Sequence, residues 1–304
     1  MKRFKKLWKW LLLLFVAAIF YGFYDLIPRS MVMTGDPVNK QRKLLASFQN
    51  PGELDLAFDS ITYMGYEDLQ LEAYYIPTTK DSTTATILMV HGIRAYKEHF
   101  IKKSPDLAAK GYNIVLVDLR AHGDSEGKFC TFGIKEKYDI KALVDVIISK
   151  YKCENIGIWG QSLGGAVALQ SLAFDKRLQF GIVESTFSNF EKVAHDYIKR
   201  MGPFLPEWYR NFMIYRGEQI AGIEAEDCNP IDAAKKVCQP VLLIHGTSDN
   251  RISFKYAKEN FVALKSEKKE FLPIEGALHS NVWQVGGDAY FQKVYNFIEE
   301  QTKP

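Results

Sequence analysis

One stretch decides how the chain is read: Ile156-Gly157-Ile158-Trp159-Gly160-Gln161-Ser162-Leu163-Gly164-Gly165-Ala166-Val167-Ala168. It is a short apolar run, then a glycine-rich turn, then a helix of small residues. Gly160 to Gly164 match G-x-S-x-G, and the strand–turn–helix setting is the one in which that motif carries a nucleophile. Glycines let the chain turn sharply and let helix and strand approach closely, so the Ser162 hydroxyl is lifted above the sheet. A neutral serine is a weak nucleophile and needs a base. The helix that begins here aims its free N–H groups and positive dipole end at the same point, which makes the Leu163 amide an oxyanion donor.

On either side, strands and helices alternate. Leu69 to Ile76 has a period of two, as a half-buried strand does. Ala85 to Val90, Asn113 to Val117, Phe180 to Val183 and Val241 to Ile244 are continuously apolar, as central parallel strands are. A last strand is expected near Phe271 to Pro273. Helices are expected over 97–110, 135–151, 162–173 and 288–300. The pattern predicts a mostly parallel sheet with helices on both faces. Functional side chains then belong in the loops just after the strands.

The partners of Ser162 follow in that order. With the nucleophile on such an elbow, an acid and then a histidine come later in the chain. His279, in Glu275-Gly276-Ala277-Leu278-His279-Ser280, stands after a strand and before the last helix, where a general base must lie. His245 ends a strand and reads as structural; His195 falls among helical residues of an insertion. Asp249, in the turn Gly246-Thr247-Ser248-Asp249-Asn250-Arg251, is the acid that would hold the imidazole, with Glu184 its rival. His91-Gly92-Ile93-Arg94 follows the strand ending at Val90, and the Ile93 amide is assigned as second oxyanion donor. The titratable run Asp118 to Ser125 reads as a hydrogen-bonded loop buttressing the site. No metal-ligand spacing is found, and no metal or cofactor is expected.

Together these residues resemble the α/β-hydrolase superfamily, from about Leu54 to the C-terminus. Within it the chain is similar to the serine-aminopeptidase-type branch, and to membrane-anchored, lid-bearing members that act on acyl esters or thioesters. The resemblance implies an α/β-hydrolase fold and a catalytic set of Ser162, Asp249 and His279. It implies a serine hydrolase with a small-molecule or lipid ester as substrate. A peptidase, an acyltransferase on the same triad and a non-catalytic binding protein are the alternatives.

The N-terminus is of another kind. Lys2, Arg3, Lys5, Lys6 and Lys9 fall in the first nine residues, and the apolar segment Leu7 to Ile27 carries only Lys9 and Asp25 as charges. Its 21 residues give roughly 31 Å of helix, enough for a hydrocarbon core. Trp8, Trp10, Tyr21 and Tyr24 lie near its ends, as interfacial aromatics do. The basic cluster favours a cytoplasmic N-terminus with the body outside. The competing reading is a signal peptide cleaved near Val16-Ala17-Ala18. Without those 5 basic residues the net charge of +3 becomes about −2, which gives no basic stripe for nucleic acid. The expected organisation is an anchor over 1–27, a juxtamembrane linker over 28–50, and a hydrolase domain over 51–304. That domain carries a helical lid, 186–239, rich in Phe, Tyr and Trp. Cys130, Cys153, Cys228 and Cys238 fix neither a pairing nor a compartment.

Overall fold

The computed structural model describes residues 2–35 and 47–303; the middle of the expected 28–50 linker lies outside the described residues. Eight strands form one sheet: β1 (Asp59–Met64), β2 (Gln70–Ile76), β3 (Ala85–Val90), β4 (Tyr112–Val117), β5 (Ile156–Gln161), β6 (Leu178–Glu184), β7 (Val241–Gly246) and β8 (Lys269–Ile274). Their order is β1-β2-β4-β3-β5-β6-β7-β8. β2 pairs antiparallel with β1 and β4. All pairs from β4 through β8 are parallel.

β3, β4, β5 and β7 are buried along their whole length. Their residues alternate between two separate cores. Leu88 and Val90 face one, with Ile140, Leu143, Val144 and Ile147 of the helix Glu136–Tyr151. Ile87 and Met89 face the other, with Val294, Phe297 and Ile298 of the helix Val282–Thr302. Apolar residues on both sides of a strand require two covering layers, which is why these runs lack the alternation of β2.

Ten α-helices are described: α1 (Lys2–Tyr21), α2 (Ile27–Val32), α3 (Ser104–Ala109), α4 (Glu136–Tyr151), α5 (Leu163–Phe174), α6 (Phe190–Met201), α7 (Glu207–Ala221), α8 (Pro230–Ala234), α9 (Phe254–Ala263) and α10 (Val282–Thr302). The expected helix over 97–110 is divided: a 3-10 segment, Lys97–Lys103, precedes α3, which opens at Ser104-Pro105. Pro105 cannot donate into a preceding helical turn. The last helix starts earlier than expected and bends at Gly287, whose φ is +52°. β1 and α9 lie outside the expected elements. The segment between β6 and β7 holds α6, α7 and α8.

α1 leads through a π-helical turn, Gly22–Leu26, into α2. The stretch Leu7–Val32 is long and apolar enough to cross a membrane and is almost wholly unburied. α2 is built into the body. Val32 accepts a backbone hydrogen bond from Cys130 (2.8 Å), and Met33 bridges to Phe129.

A lysine lies in the second core. Lys103 is 3% exposed, and its Nζ has no hydrogen-bond partner. Four rings enclose it, with centroids at 4.0 Å (Trp283), 4.6 Å (Trp159), 5.0 Å (Phe100) and 6.0 Å (Tyr290). Burial pushes its ammonium down to about 8, against the opposing pull of Glu184. The rings offset part of the desolvation through cation–π attraction.

Two stability predictions follow from these contacts. Above the folded value of about 8 the native state releases the Lys103 proton while the unfolded chain keeps it, so stability rises with pH up to the ordinary lysine range. Lys103→Met removes that rise and stabilises the protein near neutrality by roughly 1–2 kcal/mol. Urea unfolding at neutral and alkaline pH measures both effects. At the turn after β5, a Cβ on Gly164 would lie 2.0 Å from the Val90 carbonyl oxygen. Gly164→Ala is expected to lose about 1–3 kcal/mol in the same measurement.

Candidate active site

The three side chains singled out in the sequence meet above the carboxyl end of the sheet. Ser162 follows β5, Asp249 lies in the turn after β7, and His279 in the loop between β8 and α10. His279 Nε2 is 3.1 Å from Ser162 Oγ, and His279 Nδ1 is 2.7 Å from Asp249 Oδ2. Because the ionised carboxylate can only accept, Nδ1 carries the proton and Nε2 is left to accept from the serine.

The serine is held in an uncommon backbone conformation. Its φ and ψ are +57° and −116°. A non-glycine residue there stores on the order of 1–3 kcal/mol, sustained only by the surrounding contacts. The Ser162 amide donates to the Glu184 carbonyl (2.8 Å), and the Thr186 hydroxyl donates to the Ser162 carbonyl (2.8 Å). A Cβ on Gly160 would sit 2.0 Å from the Gly164 carbonyl oxygen, so this position tolerates no side chain without rearrangement.

Asp249 receives more than His279. Its Oδ1 accepts from the Arg251 and Ile252 amides at 2.8 and 2.9 Å, and His245 Nε2 lies 3.3 Å from Oδ2. Burial alone would raise this carboxyl. The hydrogen bonds from His245 and His279 outweigh it and hold the group far below the usual carboxylate range. Asp249 is therefore a carboxylate at neutral pH. The structural role expected of His245 takes a specific form: its Nε2 also bonds the Ile252 carbonyl (2.9 Å), fixing the Asp249 turn.

His91, Gly92 and Ile93, the loop expected to supply the second oxyanion donor, stand directly after β3. The Leu119 amide donates to His91 Nε2 (3.2 Å), so the proton is on Nδ1, which donates to the Gly92 carbonyl (2.8 Å). Burial pushes this imidazole well below its ordinary value, keeping it neutral. Ile93 follows, and Leu163 is the first residue of α5, where an amide has no intrahelical acceptor. Arg94, with φ of +59°, donates from Nη2 to the Ser30 carbonyl in α2 (2.7 Å). Among the described residues no group of three or more His, Cys, Asp or Glu is placed to hold a metal ion.

The Asp118–Ser125 loop is a web of buried bonds. Asp118 accepts from the Lys97 amide (2.7 Å), Lys97 Nζ (2.6 Å) and the Asp124 amide (2.9 Å). Arg120 forks onto Asp139 at 2.6 and 2.9 Å. Glu184, the rival acid, does not meet His279. It accepts from Gln161 Nε2 (2.6 Å) and from the Tyr290 hydroxyl. Gln161 in turn meets His99 at 3.1 Å. This row behind the serine was missed in the sequence, where Gln161 is only the variable residue of the motif. His195 stays apart in α6, and all four cysteines are free thiols.

Comparison with known proteins places this geometry. The fold is that of an esterase of Pyrococcus furiosus, with a TM-score of 0.70 over 84% of this chain and 95% of that one at 24% identity. YfhR, an uncharacterized protein of Escherichia coli, is 26% identical over 81% of this chain and 82% of its own. The alpha/beta hydrolase domain-containing protein WAV2 of Arabidopsis thaliana is 24% identical over 94% of this chain and 95% of its own. The family model that matches, over residues 98–304, is that of the prolyl oligopeptidase family. With an α/β-hydrolase fold and that match over two thirds of its length, the chain belongs to the prolyl oligopeptidase family.

Proposed function

We propose that the protein is a membrane-anchored serine hydrolase that cleaves carboxylic esters or thioesters of acyl or lipid type through an acyl-enzyme on Ser162. The observation that carries the reading is the continuous relay from Ser162 through His279 to Asp249, at 3.1 and 2.7 Å. His279 Nε2 takes the hydroxyl proton as Ser162 Oγ attacks the acyl carbonyl. The Ile93 and Leu163 amides stabilise the oxyanion. Collapse expels the alcohol or thiol, which takes the proton from His279. Water then attacks the acyl-enzyme with His279 as base again and releases the acid. Asp249 stays ionised throughout and supports the imidazolium.

The apolar N-terminal helix supports a single-pass anchor, with the basic residues before it favouring a cytoplasmic N-terminus and an extracytoplasmic body. The segment over 186–239 serves as the lid. Phe187 and Phe190 are buried in its base, where Phe190 stacks near Phe132 at 4.3 Å. An apolar cover beside a membrane segment favours an acyl chain over a polar substrate. The family also contains peptidases by its description, which makes amide cleavage on the same triad the second reading.

A fluorophosphonate probe tests the nucleophile. The full-length wild type in detergent is expected to label, and Ser162→Ala and His279→Ala are expected not to. Each substitution should lower ester hydrolysis at least about 10,000-fold with folding retained. A folded wild type that fails to label removes the proposal. A panel of p-nitrophenyl esters and aminoacyl anilides separates the two readings. Preference for longer acyl chains supports the ester reading, and turnover of anilides alone overturns it.

A further inference from the structure

The turn between α6 and α7 presents large apolar side chains to water. Phe204 is 97% exposed, Met201 82% and Trp208 70%. Scattered apolar residues on a surface need no explanation, but three this exposed within eight positions of one turn are a concentration of the kind that marks an interaction site. Its rim is mostly basic: Lys199 and Arg200 close α6 and are exposed, and the half-buried Arg210 follows in α7, against one exposed acid, Glu207. The combination of large apolar side chains with cations around them fits a lipid surface, whose interface accepts the rings and whose phosphates attract the cations.

The position of this turn is fixed by contacts to the apolar N-terminal helix. Tyr209 donates from its hydroxyl to the Phe23 carbonyl (2.7 Å), and the two rings are 5.6 Å apart. Phe212 packs on Tyr24 at 5.6 Å. Arg216 pairs with Asp25 at 3.0 Å and covers the Tyr24 ring at 4.9 Å. Arg29 holds the other side of the Asp25 carboxylate at 2.8 Å. Phe23 lies in the C-terminal part of the apolar segment, four residues before Ile27 and nine before Val32, or about 6 to 14 Å of helix from its end. Where that segment crosses a bilayer, Tyr209 is thus at the level of the interface, with Trp208 beside it (ring centroids 5.7 Å apart).

We propose that the α6–α7 turn, Met201 to Trp208, is a second membrane contact, seating the lid on the lipid surface next to the helix that anchors the chain. This rests on the reading of Leu7–Ile27 as a membrane span. Two attachments, one on each side of the α7 packing, fix the height and tilt of the body above the bilayer, which a single span would leave free to swivel. The lid is then held open toward the phase from which an acyl substrate arrives.

Full-length protein with Cys238→Ser, which removes the exposed thiol, is reconstituted into vesicles of phosphatidylcholine with a minority of phosphatidylglycerol. Single cysteines replacing Phe204, Val262 or Phe15 carry an environment-sensitive fluorophore, and nitroxide-bearing lipids serve as quenchers. Val262 is 79% exposed on α9 and reports the water-facing body; Phe15 reports the span. The label at 204 is expected to shift to the blue and to be quenched several-fold more than the label at 262. Equal quenching at 204 and 262 overturns the proposal whatever position 15 shows. A blue shift at 204 without lipid quenching marks a contact between copies and overturns it too. Absence of quenching at 15 instead removes the span reading, so the two failures are told apart.

Discussion

Everything chemical in this molecule depends on one tight passage of backbone, the turn from β5 into α5. Its geometry is enforced by contact rather than by sequence preference. The Gly164 backbone runs against the Val90 carbonyl, and the Gly160 backbone runs against Gly164. With no room for a Cβ at either place, the chain between them takes a conformation that Ser162 does not favour. Two hydrogen bonds from neighbouring segments, Ser162 to Glu184 and Thr186 to Ser162, hold it there. The same approach of β3 to the turn brings Gly92 beside Ser162, where a Cβ would lie 3.3 Å from the serine Cβ. Ser162 and the loop after β3 are thus positioned by the close approach of two central strands.

Around that contact the protein keeps buried charge, each buried cation also reaching a half-exposed carboxylate. Lys97 lies between Asp118 and Asp124, and Arg120 between Asp139 and Glu67. Such pairs contribute little net stability over an apolar alternative but are costly to break singly, so their value is in specifying one arrangement. What they specify here is the loop after β4. Asp118 closes on Lys97, and the next amide, Leu119, fixes the tautomer and orientation of His91. His91 then holds the Gly92 carbonyl, one residue from the Ile93 amide. The charges act on the site at third hand, through backbone groups, and this explains why a titratable cluster beside an active centre need take no part in proton transfer.

How much of this was legible in the sequence differs by level. The parallel strands were, because strands buried on both faces must be apolar throughout. The meeting of Ser162, Asp249 and His279 was, because an elbow motif and the loops after β7 and β8 leave few candidates. β1 was not: only Ile61 and Tyr63 of its six residues are buried, a signal too short to rise above its polar surroundings. The break before α3 has a local signal in Pro105, which cannot donate into a preceding helical turn. The row His99–Gln161–Glu184–Tyr290 and the ring-lined Lys103 had no signature at all, since each joins residues from distant parts of the chain that are individually ordinary. Long-range polar contacts of this type are set by tertiary packing, and spacing along the sequence carries no trace of them.

The N-terminal helix shows the same limit from the other side. Its composition announces an apolar segment and invites treatment as a tether separate from the body. The structure joins it to the body at three independent places: Tyr209 and Arg216 of α7 on Phe23 and Asp25, the Cys130 amide on Val32, and Arg94 on Ser30. The last of these ends one residue from the Ile93 amide. A segment that is bonded both to α7 and to the loop after β3 cannot shift relative to one without loading the other. Any force on the helix, whether from bilayer thickness or from tilt, is therefore transmitted to α7 and to the loop after β3 together. On the anchored reading, the membrane does more than concentrate the enzyme near its substrate: it becomes part of the frame that holds the lid and the oxyanion loop in register.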